Sequence, residues 1–278
     1  MRTIRLPDGT MVPALGQGTW HMGENGRSAT AEADALKLGI DLGMTLIDTA
    51  EMYGSGAAEE IVGTAIAAQR DKVFVVSKVY PHNASRRGVP EACARSLQRL
   101  GTDRIDLYLL HWRGSHPLSE TVEAFEKLRE AGHIRYWGVS NLDSDDMEEI
   151  AALPAGRNCA TNQILYNAET RCIEFDLLPW CRKHHMPIMA YSPVGQAGRL
   201  LRSPALGAVA RRHNATPAQI AIAWTMRDGD AISIPKASKA EHVRQNAAAA
   251  DIALSTEDLA EIDVYHKPPK RKQSLGIL

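Results

Sequence analysis

Three things are missing from this sequence, and each removes a class of function. There is no excess of charge: 32 Lys and Arg against 33 Asp and Glu leave a formal net charge of −1. No long-range field therefore draws the molecule to nucleic acid or an anionic membrane. No apolar run approaches the ~20 residues that span a bilayer, and the first nine residues lack the apolar core of a signal peptide. The four cysteines, Cys93, Cys159, Cys172 and Cys181, stand in no CxxC or other zinc spacing. Scattered thiols without an export signal are expected to be reduced and buried, which points to the cytoplasm.

What is present is a repeat. Strand patterns fall at 14–19, 44–48, 73–78, 105–111, 135–140, 159–163, 187–192 and 231–235. Helical patterns lie between them, at 31–42, 56–69, 89–100, 119–130, 144–153, 175–185, 204–212 and 217–227. Strands that recur roughly every thirty residues, each followed by a helix, predict an α/β fold: a (β/α)8 TIM barrel. Thr3-Ile4-Arg5-Leu6 and Thr10-Met11-Val12 flank Pro7-Asp8-Gly9, a turn signal, and predict an N-terminal β-hairpin that caps one end of the barrel. No linker or composition break divides the 278 residues, so 1–278 is expected to be a single domain. The closing Lys267-Pro268-Pro269-Lys270-Arg271-Lys272 is expected to be a short, mobile basic tail.

The strand ends carry the chemistry. Leu46-Ile47-Asp48-Thr49-Ala50-Glu51-Met52-Tyr53-Gly54 runs from a short apolar strand into a polar turn. An acid and a phenol at such a turn are ordinarily a helix cap and a packing residue. The next two strands change that reading, because one ends in Lys78 and the other in His111. The C-terminal ends of parallel barrel strands meet at one mouth, where these side chains would converge. Gly16-Gln17-Gly18-Thr19-Trp20-His21 starts like a dinucleotide fingerprint but lacks its third glycine and its ribose-binding acid. Its glycines are expected to let the backbone and Trp20 approach something flat at the mouth, or to shape a strand end under an aromatic lid.

The remaining rim is polar. Ser140 and Asn141 end the fifth strand, Asn162 and Gln163 the sixth, and Tyr191, Ser192 and Pro193 the seventh. Asn141 and Gln163 are either satisfied amides and caps or readers of a carboxamide, which offers one donor and one acceptor face. Tyr191 either packs in the core or stacks on a heterocycle. After the eighth strand, Lys236, Ser238, Lys239 and Arg244 form either a solvated charged face or a phosphate site of the kind barrels place there.

With these residues in order, the chain resembles the aldo-keto reductase family across nearly its whole length. The matching positions are Gly18-Thr19-Trp20, Asp48-Thr49-Ala50 with Tyr53-Gly54, Ser77-Lys78, Asp106 to His111, Gly138 to Asn141, Asn162-Gln163, Tyr191-Ser192-Pro193 and Ile234-Pro235-Lys236. Within it, Asp48-Thr49-Ala50-Glu51-Met52-Tyr53 and Asp176-Leu177-Leu178-Pro179-Trp180-Cys181 resemble bacterial members described as methylglyoxal reductases. The resemblance implies NADPH-dependent reduction of small or aromatic aldehydes and ketones, methylglyoxal among them. It implies that Asp48, Tyr53, Lys78 and His111 are the catalytic tetrad, with Tyr53 as general acid. Lys78 is then expected to lower the phenol pKa from about 10, and His111 to align the carbonyl oxygen.

For the cofactor, the resemblance maps Ser140, Asn141 and Gln163 onto the nicotinamide carboxamide, Tyr191 onto its ring, and Ser192, beside Pro193, near the pyrophosphate. Lys236, Ser238, His242, Gln245 and Asn246 fall at the adenosine-phosphate positions, with Lys239 and Arg244 adding charge. Ala237 and His242 stand where a serine and an arginine are common. NADPH is expected over NADH. Trp20 and Trp112 are expected to line an open substrate pocket, with Gly18 and Thr19 at the cofactor's edge. A monomer acting on a small-molecule carbonyl is implied, with no metal. Sugars or keto acids as substrates, and a nicotinamide-sensing regulatory subunit, are the alternative readings, since fold alone fixes neither. A metal-dependent hydrolase would need more ligands than His111 and Asp48.

Overall fold

The computed structural model describes residues 1–24 and 28–278. Two short strands, β1 (Thr3–Arg5) and β2 (Met11–Pro13), pair antiparallel around the Pro7-Asp8-Gly9 turn. Eight parallel strands follow: β3 (Gln17–Gly18), β4 (Leu46–Asp48), β5 (Phe74–Val79), β6 (Ile105–Leu110), β7 (Ile134–Ser140), β8 (Cys159–Leu165), β9 (Ile188–Tyr191) and β10 (Ala231–Ser233). Each pairs with its neighbour in sequence, and the first and last are joined by bridges between Leu15 and Ser233 and between Gly18 and Lys236. The sheet thus curls back on itself as the repeat predicts.

Helices α1 (Ala29–Asp41), α2 (Ala57–Ile66), α3 (Gly88–Leu100), α4 (Leu118–Glu130), α5 (Ser144–Ala152) and α6 (Leu177–Lys183) alternate with the strands. The seventh strand is followed by α7 (Pro204–Arg212) and α8 (Pro217–Thr225), the eighth by α9 (Ala240–Ala248) and α10 (Thr256–Tyr265). Their starts are written locally. Asp143 with Asp146, Thr216 with Gln219 and Ser255 with Asp258 form reciprocal capping boxes at α5, α8 and α10.

Strand alternation sorts the core into two shells. Leu46, Val76, Leu107, Leu109, Met189 and Ile232 fill the barrel interior, together with Ile4, Leu6 and Val12 of the hairpin. Ile47, Val75, Val79, Tyr108 and Leu110 face outward and pack under helix residues such as Leu36, Ile61 and Val62. Asp48, Lys78 and His111 lie two residues beyond Leu46, Val76 and Leu109, so the alternation that points those apolar side chains inward points the three polar ones into the barrel mouth. The hairpin closes the other end, where Asp8 and Thr10 bond the Tyr136 hydroxyl near the start of β7, each at 2.8 Å.

The glycines of the Gly16–Gly18 segment admit neighbouring backbone where the barrel closes: a Cβ on Gly18 would lie 2.8 Å from the Ile234 carbonyl oxygen, and one on Gly16 2.8 Å from that of Leu46. The basic tail, expected to be free, is packed against the barrel. Lys272 donates to Ser144 at 3.0 Å and Asp145 at 3.2 Å, Leu275 packs on the core, and Gly276 rests against Thr170 and Leu165. The Leu278 main chain reaches the Tyr191 hydroxyl.

The tight seam makes Gly18→Ala an overpacking change, which costs about 1–3 kcal/mol. The urea midpoint should fall with an unchanged slope; an unchanged midpoint would show that the seam yields freely.

Candidate active site

The site is assembled around a buried ammonium. Lys78 has no exposed surface, and its Nζ donates to Asp48 Oδ2 at 2.8 Å, the Thr49 carbonyl at 2.8 Å and the Tyr53 hydroxyl oxygen at 3.2 Å. Three protons meet three acceptors, which is how a buried ammonium avoids an unpaid desolvation cost. The second Asp48 oxygen accepts from Gln163 Nε2 at 2.7 Å. The Asp48 main chain is braced by Thr19, whose hydroxyl donates to its carbonyl at 3.0 Å. Tyr53 sits in the turn between β4 and α2, its ring edge-on to His111 with centroids 5.8 Å apart. The four residues expected from the strand ends are therefore together, and Gln163 joins them through its amide nitrogen.

The electrostatics assign protonation states. Burial, then the nearby Lys78 cation, drives His111 down to about 2, so its ring is neutral. Its Nδ1 is buried without a partner among the described residues. An orphaned lone pair costs less than an orphaned N–H, so the proton belongs on Nε2. Burial pulls Lys78 below the ordinary lysine value, while Asp48 and then Glu59 push back. Burial likewise raises Asp48 against the pull of Lys78 and Gln163. Tyr53 departs from expectation: burial first and the Asp48 carboxylate second hold its phenol well above 10, not below. The Asp48 carboxylate, paired with Lys78, opposes the cation's pull on the phenol. The phenol is a fully loaded proton donor at neutral pH.

The rim continues from this centre. Asn141 Nδ2 donates to the His111 carbonyl at 3.1 Å and to Ser140 Oγ at 3.0 Å, and its Oδ1 accepts from Tyr191 at 2.9 Å. Asn141 and Ser192 hold left-handed backbone, φ 58 and 49, at the ends of β7 and β9, which flank β8. Such conformations gather at binding sites. Pro193 is buried beside Ser192. Lys236 lies 3.4 Å from Ser238 after β10, while Lys239, His242 and Arg244 are exposed and Asn246 is buried on α9. Lys239, at the N-cap of α9, makes no side-chain cap bond, so that helix start offers main-chain N–H groups beside cations. Trp20 stacks on His21 at 4.1 Å, and Trp112 lies 4.8 Å from the His111 ring.

Sequence reasoning missed Tyr80, whose ring lies 5.7 Å from Trp112 and 6.4 Å from His111. Its signal was its place two residues beyond Lys78, in phase with the inward face. Glu51 anchors it, accepting from the Tyr80 N–H at 2.7 Å and Asn83 Nδ2 at 3.0 Å. Asn167 was missed as well; its Nδ2 donates to the Ser192 carbonyl at 3.0 Å.

Comparison with known proteins agrees with this geometry. The profile of the Aldo/keto reductase family matches residues 14–266. The chain is 50% identical over 281 residues to methylglyoxal reductase YeaE of Escherichia coli, covering 100% of this chain and 99% of that protein. It is 34% identical over 268 residues to glyoxal reductase of Bacillus subtilis, covering 95% and 93%. Among solved structures it is similar to an aldo/keto reductase of Klebsiella pneumoniae in complex with NADP and acetate, with TM-score 0.97, 51% identity and 99% of each chain covered.

The neutral His111 has a consequence for stability. Its pKa falls from 6.5 unfolded to about 2 folded, so below pH 6.5 the unfolded chain binds the extra proton. Stability from this group is present above that pH and lost as pH falls. Between about pH 8 and about pH 5.5 the wild type should lose about 1.4 kcal/mol more than His111→Gln, read from urea midpoints. Parallel curves for the two proteins would contradict a neutral His111.

Proposed function

This chain belongs to the aldo/keto reductase family, and from that premise we propose that Asp48, Tyr53, Lys78 and His111 carry out its reaction. The protein is an NADP(H)-dependent oxidoreductase that reduces carbonyl groups to alcohols. The observation that carries the residue assignment is the Lys78 ammonium, bonded at once to Asp48 and to the Tyr53 oxygen. When bound, the nicotinamide supplies a hydride to the carbonyl carbon. The Tyr53 hydroxyl gives its proton to the carbonyl oxygen as charge develops there, so that C=O becomes CH–OH. Lys78 steadies the phenolate left behind, and Asp48 keeps Lys78 charged and aimed. The neutral His111 donates from Nε2 to the same oxygen and aligns it with Tyr53.

The rim fits the cofactor chemically. Ser140, Asn141 and Gln163 present hydroxyl and amide groups to a carboxamide, and Tyr191 a flat ring. Ser192 and Pro193 lie toward the pyrophosphate, with Gly18, Thr19 and Trp20 at the cofactor's near edge. Lys236, Ser238, Lys239, His242, Arg244, Gln245 and Asn246 are the phosphate and adenosine residues. Their cations and the α9 N-terminus favour the additional phosphate of NADPH over NADH. Trp20, Trp112 and Tyr80 give the substrate aromatic walls, which suits methylglyoxal and other small or aromatic carbonyls. We further propose a single-domain monomer working in the cytoplasm.

One assay tests this reading: NADPH consumption by the purified protein with methylglyoxal and aromatic aldehydes, beside Tyr53→Phe. Loss of the proton donor should lower kcat by about 10²–10⁴-fold while NADPH binding stays within about twofold, since the hydroxyl is removed and the ring kept. Each charge-assisted bond to the extra phosphate should favour NADPH by about tenfold or more. A Tyr53→Phe enzyme as fast as wild type would refute the acid, and equal Kd values for NADPH and NADH the cofactor preference.

A further inference from the structure

Behind the strand that carries Lys78 lies a buried carboxylate that the reaction does not use. Glu59, in α2, is 0% exposed. It accepts from Ser77 Oγ at 2.5 Å and from Arg99 Nε at 2.6 Å, with Arg99 Nη2 also at 2.6 Å. Ser77 immediately precedes Lys78 on β5, its side chain facing outward where that of Lys78 faces in. Arg99, near the end of α3, also donates to Ser96 Oγ at 3.3 Å. Its side chain lies across Gly56: a Cβ built there would fall 2.6 Å from Arg99 Cδ and 2.7 Å from Nε.

Gly56 ends the turn that holds Tyr53. Three residues in succession, Gly54, Ser55 and Gly56, have φ of 55, 56 and 99, and Ser55 is a non-glycine residue in left-handed backbone. Such a turn persists only where its surroundings hold it. α2 begins at Ala57, directly after it. One ion pair therefore grips both halves of the proton-donating unit: Glu59 takes the Lys78 strand through Ser77, and Arg99 lies over the Tyr53 turn. A buried ion pair is by itself weak support for stability, because apolar residues of similar volume often serve as well. What marks this one is the pair of elements it joins.

We propose that Glu59, with Arg99 as its counter-ion, is a positioning residue: it holds the Tyr53 turn against the Lys78 strand and sets a second buried anion behind the Lys78 ammonium. The proposal rests on Tyr53 and Lys78 acting as the proton-donating pair. The charged and titratable groups that share this region are Arg99 and Cys93 on α3, Tyr108 on β6, Lys78 on β5, and Glu51, which acts on Tyr108 and pairs with Arg95. Lys78 in turn faces Asp48, Tyr53 and His111.

The charge of Glu59 makes a signed prediction. Glu59→Gln keeps the shape and removes the anion, leaving the Arg99 cation unopposed, so the Lys78 ammonium gives up its proton more readily. The alkaline limb of the kcat–pH profile should move to lower pH by about half a unit. Arg99→Met leaves the Glu59 anion unopposed, and the limb should move to higher pH. The variant with both substitutions should return it close to wild type. In each single variant kcat should fall by about tenfold, as a displaced turn misplaces the phenol, with NADPH Kd within about twofold. A role in folding alone would lower the melting temperature without opposite shifts of the limb. Limbs that superimpose on wild type in both single variants overturn the proposal, and if one variant fails to fold the other decides alone by the direction of its shift. Absent wild-type turnover, or a fully active Tyr53→Phe enzyme, would instead refute the underlying reading.

Discussion

The buried ion pair between Lys78 and Asp48 is the constraint on which the site depends. An ammonium without exposed surface is tolerated only if its charge and all three protons are met. Here they are met from one side of the barrel, by Asp48, the Thr49 carbonyl and the Tyr53 oxygen. That demand fixes the register of β4 against β5, since a one-residue slip would turn Asp48 or Lys78 out of the barrel. It reaches across to β8 through Gln163, which occupies the remaining Asp48 oxygen. Thr19 then ties the strand nearest the barrel seam to the same carboxylate residue.

From this pair the protonation pattern follows. Burial, with the neighbouring cation added, keeps His111 neutral, so the ring carries an N–H without charge. The carboxylate, added to burial, keeps the Tyr53 phenol protonated. A loaded acid beside a fixed cation suits a reaction whose transition state gathers negative charge on one oxygen. On the proposed mechanism the site separates three jobs: proton supply at Tyr53, charge stabilisation at Lys78 and alignment at His111. Their spacing is set by strands and by one strained turn, not by flexible loops.

Much of this was legible in the sequence because barrel geometry is periodic. The repeat located all eight strands and the hairpin, and strand-end position alone singled out Asp48, Lys78 and His111. What escaped depends on contacts between distant residues. Glu59 reads as an ordinary helix acid until Arg99 is placed against it, forty positions away. The run from Lys267 to Lys272 has the composition of a disordered tail, yet Lys272 finds acceptors 128 and 127 positions earlier, on α5. The glycines before Trp20 resemble a ligand loop, and only the closed sheet shows that they admit the backbones of Leu46 and Ile234. The direction of the Tyr53 shift was missed for a similar reason, since its burial and the placing of the Asp48 carboxylate are known only once the barrel is closed.

The most direct test of the central ion pair compares Lys78→Met with Asp48→Asn/Lys78→Met in single-turnover reduction and thermal unfolding. Lys78→Met strands a buried carboxylate and should be markedly destabilised. The double variant removes that stranded charge and should recover most of the lost stability. Both should reduce carbonyls equally slowly, about 10²-fold or more below wild type, because neither has a cation to hold the phenolate. A double variant that turned over within a few-fold of wild type would contradict the account, for the pair would then be scaffolding and not part of the chemistry.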